Sequence, residues 1–146
     1  MPADRPATYP LTLFYDASCP LCAAEMGALK QRDAQDLLRL VDCSAPGFDG
    51  APAGCAPADL MRLLHAQTAD GRVLVGVPAF EAAYAAVGQR TVVAALRLPG
   101  LRALAQWLYP HLARHRQRLP RALAPLLWGR TARCAAAGSC TLPGAK

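Results

Sequence analysis

Two cysteines separated by Pro20 and Leu21, in the stretch YDASCPLCAAE from Tyr15 to Glu25, are the residues whose spacing promises chemistry. A Cys-X-X-Cys pair can be a dithiol that cycles with a disulfide, half of a tetrahedral metal site, or two buried thiols. If Pro20 takes the first position of a helix, Cys19 becomes its N-cap and Cys22 its third residue. A sulfur at the N-cap faces the free backbone N–H groups of the first turn, and the positive helix end favours its anion. A free thiol titrates near ~8.5, and such settings lower that by one to several units, so attacking thiolate is present at neutral pH. Cys19 is therefore the candidate nucleophile and Cys22, one turn deeper, the resolving thiol. Cys19 would attack a partner disulfide, and Cys22 would then attack the mixed disulfide and release the reduced partner.

Two carboxylates flank the pair. Glu25, three residues after Cys22, shares its helical face and is either the proton acceptor for Cys22 or a solvated surface acid. Asp16, at the end of the preceding apolar run, either tunes Cys19 electrostatically or closes the turn by bonding loop amides.

These side chains need a strand to end and a helix to begin at the motif, and the flanking sequence supplies both. Leu11 to Tyr15 is apolar except for Thr12, as in a strand buried on both faces. Ala23 to Arg32 is rich in helix formers, with Met26 and Leu29 on the side of Cys22. Leu37 to Cys43 reads as a second strand, which completes a right-handed βαβ unit. The Gly/Pro/Ala-rich segment Ser44 to Pro57 is a loop, and Pro57 opens a short helix, PADLMRLL. Leu64 to Thr68 and Val73 to Val77 flank Asp70-Gly71, a hairpin signal. Pro78 opens a helix through Val87, with Glu81 expected in its first turn and Gly88 just past its end. The order βαβαββα is the thioredoxin arrangement, an α/β fold with a mixed sheet flanked by helices, whose first helix starts at the CxxC.

Thioredoxins place a cis-proline before the third strand, against the sulfurs, where it shapes the substrate groove and discourages metal capture. The corresponding segment here is Arg62-Leu63-Leu64-His65, which has no proline. His65 is thus either an active-site residue that stabilises a thiolate or shuttles a proton, or a satisfied structural histidine.

With these residues in view, the chain resembles the DCC family of thiol–disulfide oxidoreductases (DUF393), whose signature is an aromatic residue and Asp followed by a CPxC pair. Asp16, Cys19, Pro20 and Cys22 match it, and the resemblance continues in LVDCSAPGFD, LLHAQTADGRVLVGVPAF and RLPGLRALAQWLYPHLARHR. It covers roughly residues 10 to 120 and implies a thioredoxin-like fold with a redox-active CxxC. Its substrate would be a disulfide or thiol, protein or small molecule, with no cofactor.

Composition sets the limits. The chain of 146 residues, 53% of them hydrophobic, suits one domain with a core that needs no disulfide framework despite six cysteines. The opening MPADRPATYP lacks the pattern of a secretory signal, and Arg97, Pro99 and Arg102 interrupt the most apolar region, so a cytoplasmic monomer without stable membrane insertion is expected. Charge is uneven. Residues 1–81 hold six basic and ten acidic side chains, while residues 82–146 hold ten basic and no acidic ones. We divide the chain into a CxxC core over residues 1–90, a basic helical extension over 91–133 and a cysteine-containing tail over 134–146.

From Thr91 onward Pro99-Gly100, Pro110, Pro120 and Pro125 predict several short helices. Leu101, Leu104, Leu108 and Leu112 recur at helical spacing and read as the face docked on the core. Arg114, Arg116, Arg118 and Arg121 with His111 and His115 then form either a solvated basic face or a surface for an anionic partner. No nucleic-acid motif is present. Cys43 and Cys55 read as unpaired thiols, and Cys134 and Cys140 either pair, relay electrons to the CxxC, or stand idle. The competing reading is a non-enzymatic binding module that holds zinc through the CxxC or uses the basic surface for an anionic partner. Zinc needs a second close ligand pair, and neither Cys43/Cys55 nor Cys134/Cys140 has the spacing of one.

Overall fold

A computed structural model describes residues 7–118. Strand β1, Leu11–Tyr15, lies inside a four-stranded mixed sheet of order β2-β1-β3-β4. It pairs in parallel with β2 (Leu38–Asp42), where Leu13 faces Leu40, and antiparallel with β3 (His65–Gln67), where Leu13 faces Ala66. The hairpin closed by Asp70-Gly71 adds β4 (Val73–Val75), antiparallel to β3. Helix α1, Pro20–Arg32, connects β1 to β2, and α2, Pro57–Arg62, precedes β3. This is the thioredoxin-like α/β arrangement.

Alternation along β1 sends its side chains to two cores. Leu11 and Leu13 pack with Met26 and Leu29 of α1 and with Ala79, Ala82 and Ala83 of α3 (Val77–Ala86). Three alanines on one face let α3 approach the sheet closely. On the opposite face Phe14 packs with Leu60 of α2 and Cys43. A run apolar on both faces is what a central strand requires, since neither side meets water.

Glu81 is not in the first turn of α3. The helix begins at Val77, after Gly76 as N-cap, so Glu81 falls in its second turn. There it binds Arg97 at 2.7 Å and Arg102 at 2.9 Å, which tie α4 (Arg90–Arg97) and α5 (Pro99–His115) to α3. Gly76 has φ +70, and a Cβ there would meet Tyr109 Cδ1 at 3.4 Å. Both the turn and the approach of α5 thus favour glycine.

Two expectations for the C-terminal extension are corrected. Pro110 does not end a helix: α5 runs 17 residues through it, followed by a 3-10 turn at Arg116–Arg118. An internal proline costs roughly 3 kcal/mol, and tertiary anchors on both sides of Pro110 offset it. Tyr109 stacks edge-on to Phe80 at 5.2 Å and its hydroxyl accepts the Leu64 N–H at 2.8 Å, while Arg116 reaches the core beyond it. The leucine stripe, moreover, is not the docked face. Leu101, Leu104, Leu108 and Leu112 are exposed, and Trp107 is 64% exposed. Besides Pro110, the partly buried positions are Arg102, Ala105, Tyr109, Ala113 and Arg116, a stripe of the same period turned around the helix. Pro120, Pro125 and Arg121 lie outside the described residues. No helix among the described residues is long and apolar enough to cross a membrane.

Candidate functional site

The sheet hands its central strand to α1 through an Asp-X-Ser turn. Asp16 Oδ1 accepts the Ser18 backbone N–H at 3.0 Å and the Ser18 hydroxyl. The parallel neighbour repeats the device: Asp42 Oδ1 accepts the Ser44 N–H at 2.8 Å and its hydroxyl at 2.6 Å, and also the Ala17 N–H at 3.2 Å. Carboxylates bonding amides two residues on are a common way to turn a chain out of a strand. Here they hold the loop that ends at Cys19, whose N–H donates to the Asp16 carbonyl at 3.2 Å. Cys19 is the N-cap of α1 and Pro20 its first residue.

Cys19 and Cys22 approach to 3.0 Å, and both are free thiols. Cys19 has no exposed surface, whereas Cys22 is half-buried and forms part of a cavity wall. The pair holds one proton unequally. The Cys19 thiol is lowered to about 6, first by the hydrogen bond from Cys22, against the opposing effect of burial, then by the amides of Cys22 and Leu21 and the charge of Arg116. These amides help without closing a formal capping bond to the sulfur. Cys22 is pushed up, because it donates to Cys19, because it is buried, and because its anion would sit beside another. One proton therefore leaves the pair near neutrality and the second is strongly held.

Arg116 was not singled out for this site by sequence reasoning, which grouped it with the surface basic residues. It turns inward from the end of α5. Its Nη1 donates to Cys22 Sγ at 3.4 Å, and its Nη2 donates to Asp16 Oδ2 at 3.0 Å and to the Met61 carbonyl. Gln117 Nε2 adds a donor to the same Asp16 oxygen at 3.4 Å. Asp16 is only 1% exposed. A carboxylate so buried needs a cation, and the body of the chain is acidic while the extension is wholly basic. That imbalance was the signal available in the sequence. Arg116 also lines the same cavity as Leu63 and Leu64, from the segment that lacks a proline.

Asp16, Cys22, Glu25 and Arg116 line one cavity of about 340 Å³, together with Tyr15, Tyr109 and apolar groups that include Met26, Leu60, Leu63, Leu64 and Phe80. Glu25 accepts the Tyr84 hydroxyl at 2.9 Å, and what surface it keeps lies in this wall. Burial pushes its carboxyl up to about 7, with Tyr84 pulling the other way. A carboxyl that gains and loses a proton near neutrality, one turn from a protonated thiol, can act as base toward it.

His65 lies on β3 opposite Phe14, with Nδ1 2.9 Å from the Leu63 carbonyl, and forms no hydrogen bond to either cysteine. Cys43 is buried in the Phe14 cluster, where burial first and then Asp42 raise its thiol to about 11. Cys55 packs at the edge of the same cluster. Cys134 and Cys140 lie outside the described residues. Among the described residues no group of three or more His, Cys, Asp or Glu side chains is placed to hold a metal.

No solved structure matches the chain. An uncharacterised chloroplastic protein of Arabidopsis thaliana is 29% identical over 114 residues, 77% of this chain, and the chain spans 53% of that relative's length. The family model of the DCC1-like thiol-disulfide oxidoreductases matches residues 13–122. That range holds most of the sheet, the CxxC and Arg116, and the chain belongs to the DCC1-like thiol-disulfide oxidoreductase family.

Proposed function

We propose that this chain is a thiol–disulfide oxidoreductase in which Cys19 is the nucleophile and Cys22 the resolving thiol. The observation that carries the reading is the 3.0 Å approach of Cys19 and Cys22 at the start of α1, beside an Arg116 that adds positive charge to the pair and with the Cys19 thiol lowered to about 6. Cys19 thiolate attacks a substrate disulfide and forms a mixed disulfide, expelling one sulfur as thiolate. Cys22 passes its proton to Glu25 and attacks Cys19, which closes the Cys19–Cys22 disulfide and frees the second substrate sulfur. Asp16 holds Arg116 in place, and Pro20 fixes the first turn of α1. Because Cys19 is covered while Cys22 faces the cavity, the attack requires the Cys22 side chain or the Arg116 cover to move aside. The pair works in a reducing compartment, with the cytoplasm as our expectation, and needs no cofactor.

Differential alkylation with mass mapping tests this. Mild oxidation should pair Cys19 with Cys22, and reduced protein near pH 7 should be modified first at Cys19. In a Cys22→Ser variant, a disulfide substrate should remain trapped on Cys19. Cysteines that never pair, together with stoichiometric zinc in the purified protein, would defeat the redox reading. First modification at Cys22 would reverse the two roles.

A further inference from the structure

From the cavity beside Cys22 we infer that the substrate is a small apolar disulfide, a cyclic dithiolane on an aliphatic chain being the best fit, rather than a protein disulfide. The inference rests on the dithiol-exchange reading and narrows it. A protein substrate presents its cystine on extended backbone, which is gripped most simply by pairing with free backbone groups next to the sulfurs. The segment 61–64, whose Leu63 and Leu64 line the cavity with Cys22, offers few. Arg116 takes the Met61 carbonyl, and the Leu63 N–H donates to the Asp59 carbonyl at 3.2 Å. The Leu63 carbonyl bonds His65, the Leu64 N–H donates to Tyr109, and the Leu64 carbonyl accepts the Gly76 N–H at 2.9 Å. Five backbone groups are already used by the chain itself.

What the segment does present is side chain. Leu63 and Leu64 face a volume of about 340 Å³, at the lower end of the ~300–1,000 Å³ typical of small-molecule sites. The charged groups in its wall are committed. Arg116 is neutralised by Asp16 and Glu25 is held by Tyr84, so a multiply charged disulfide would shed its hydration without gaining partners. Leu112 lines the cavity and is 48% exposed, so apolar wall continues to the surface there. An aliphatic chain fills the volume and brings its disulfide against the pair. The exchange balances: the substrate's S–S bond breaks, the Cys19–Cys22 bond forms, and two electrons pass to the substrate. The substrate takes up two protons, one from Cys22 by way of Glu25 and one already given up to solvent by Cys19.

The test uses the reduced full-length chain and three oxidants, lipoamide, oxidised glutathione and insulin, with disulfide formation between Cys19 and Cys22 followed by rapid alkylation. Lipoamide should react at least tenfold faster than either of the others. Octanamide, which carries the chain without the disulfide, should slow it competitively. Ala113→Phe, which fills the cavity from α5, should slow lipoamide about tenfold, with thermal unfolding as the check on fold. Should that variant not fold, the octanamide competition in the unaltered protein decides. Equal or faster reaction with glutathione disulfide or insulin, or no competition by octanamide, overturns the apolar substrate and leaves dithiol exchange standing. No reaction with any of the three overturns both.

Discussion

The two ends of the site are built on different logic. The N-terminus of α1 is assembled by neighbours in sequence: Asp16, Ser18, Cys19, Pro20 and Cys22 meet through a turn, an N-cap and one helical turn. The end of α5 is assembled by tertiary contact. Arg116 reaches Cys22 across 94 positions and Asp16 across 100. The first end supplies the sulfurs and the second supplies the positive charge and the roof. A dithiol at a helix end is chemistry that many chains can make locally; here Cys22's own hydrogen bond does most to lower the Cys19 thiol, and Arg116 adds to it from the end of α5.

The largest expected effect comes from cutting the link between those ends. Arg116→Met leaves Asp16 buried without its cation, and breaking one partner of a buried pair typically costs about 3–5 kcal/mol. Asp16 is 1% exposed, so we expect about 3 kcal/mol in chemical unfolding. Adding Asp16→Asn should recover more than half of the loss. The pH midpoint of Cys19 alkylation should also rise, by less than a unit, because Arg116 ranks behind Cys22's own hydrogen bond in lowering that thiol. If Arg116→Met leaves both stability and midpoint unmoved, α5 is no part of the site.

A smaller effect isolates the local end. Glu25 has its carboxyl raised to about 7 by burial, so the folded chain binds a proton there that the unfolded chain has released. Stability should therefore fall as pH rises from about 4.5 to about 7, and level off above. Glu25→Gln should remove that slope while leaving the Tyr84 contact able to form. The difference between the two proteins across the window should be on the order of 2 kcal/mol, reduced by solvent in the cavity. A slope that persists in Glu25→Gln would assign it to another group.

The same division decides what could be read from the sequence. β1, α1 and its N-cap follow from short-range signals: an apolar run, a proline at the first helical position, good helix formers. The hairpin follows from Asp70-Gly71, where Gly71 has φ +83. The extension misled because periodicity gives the width of an apolar stripe and not the partner it meets. Leu101, Leu104, Leu108 and Leu112 make the stronger stripe, yet the sheet side takes Tyr109 and Arg116, whose polar atoms answer specific buried groups: the Leu64 N–H, the Met61 carbonyl and Asp16. Pro110 misled for the same reason, since its local cost is offset by contacts many residues away. His65 has a main-chain partner in Leu63, which no spacing rule would indicate.

The smallest effect tests which stripe docks. Leu104 is 53% exposed on the outward face of α5. Surface substitutions away from packed features usually change stability by no more than about 0.5 kcal/mol. Leu104→Ser should therefore fall within about 0.5 kcal/mol of the parent in urea unfolding, most of it from lower helix propensity. On the inward stripe, Tyr109→Phe removes the acceptor of the Leu64 N–H and should cost about 1–2 kcal/mol, although it deletes one oxygen where the leucine change removes most of a side chain. If the order were reversed, with Leu104→Ser the more damaging, the leucines would be the docked face after all. Arg116 would then point away from Cys22, and the roof over the dithiol would be lost with it.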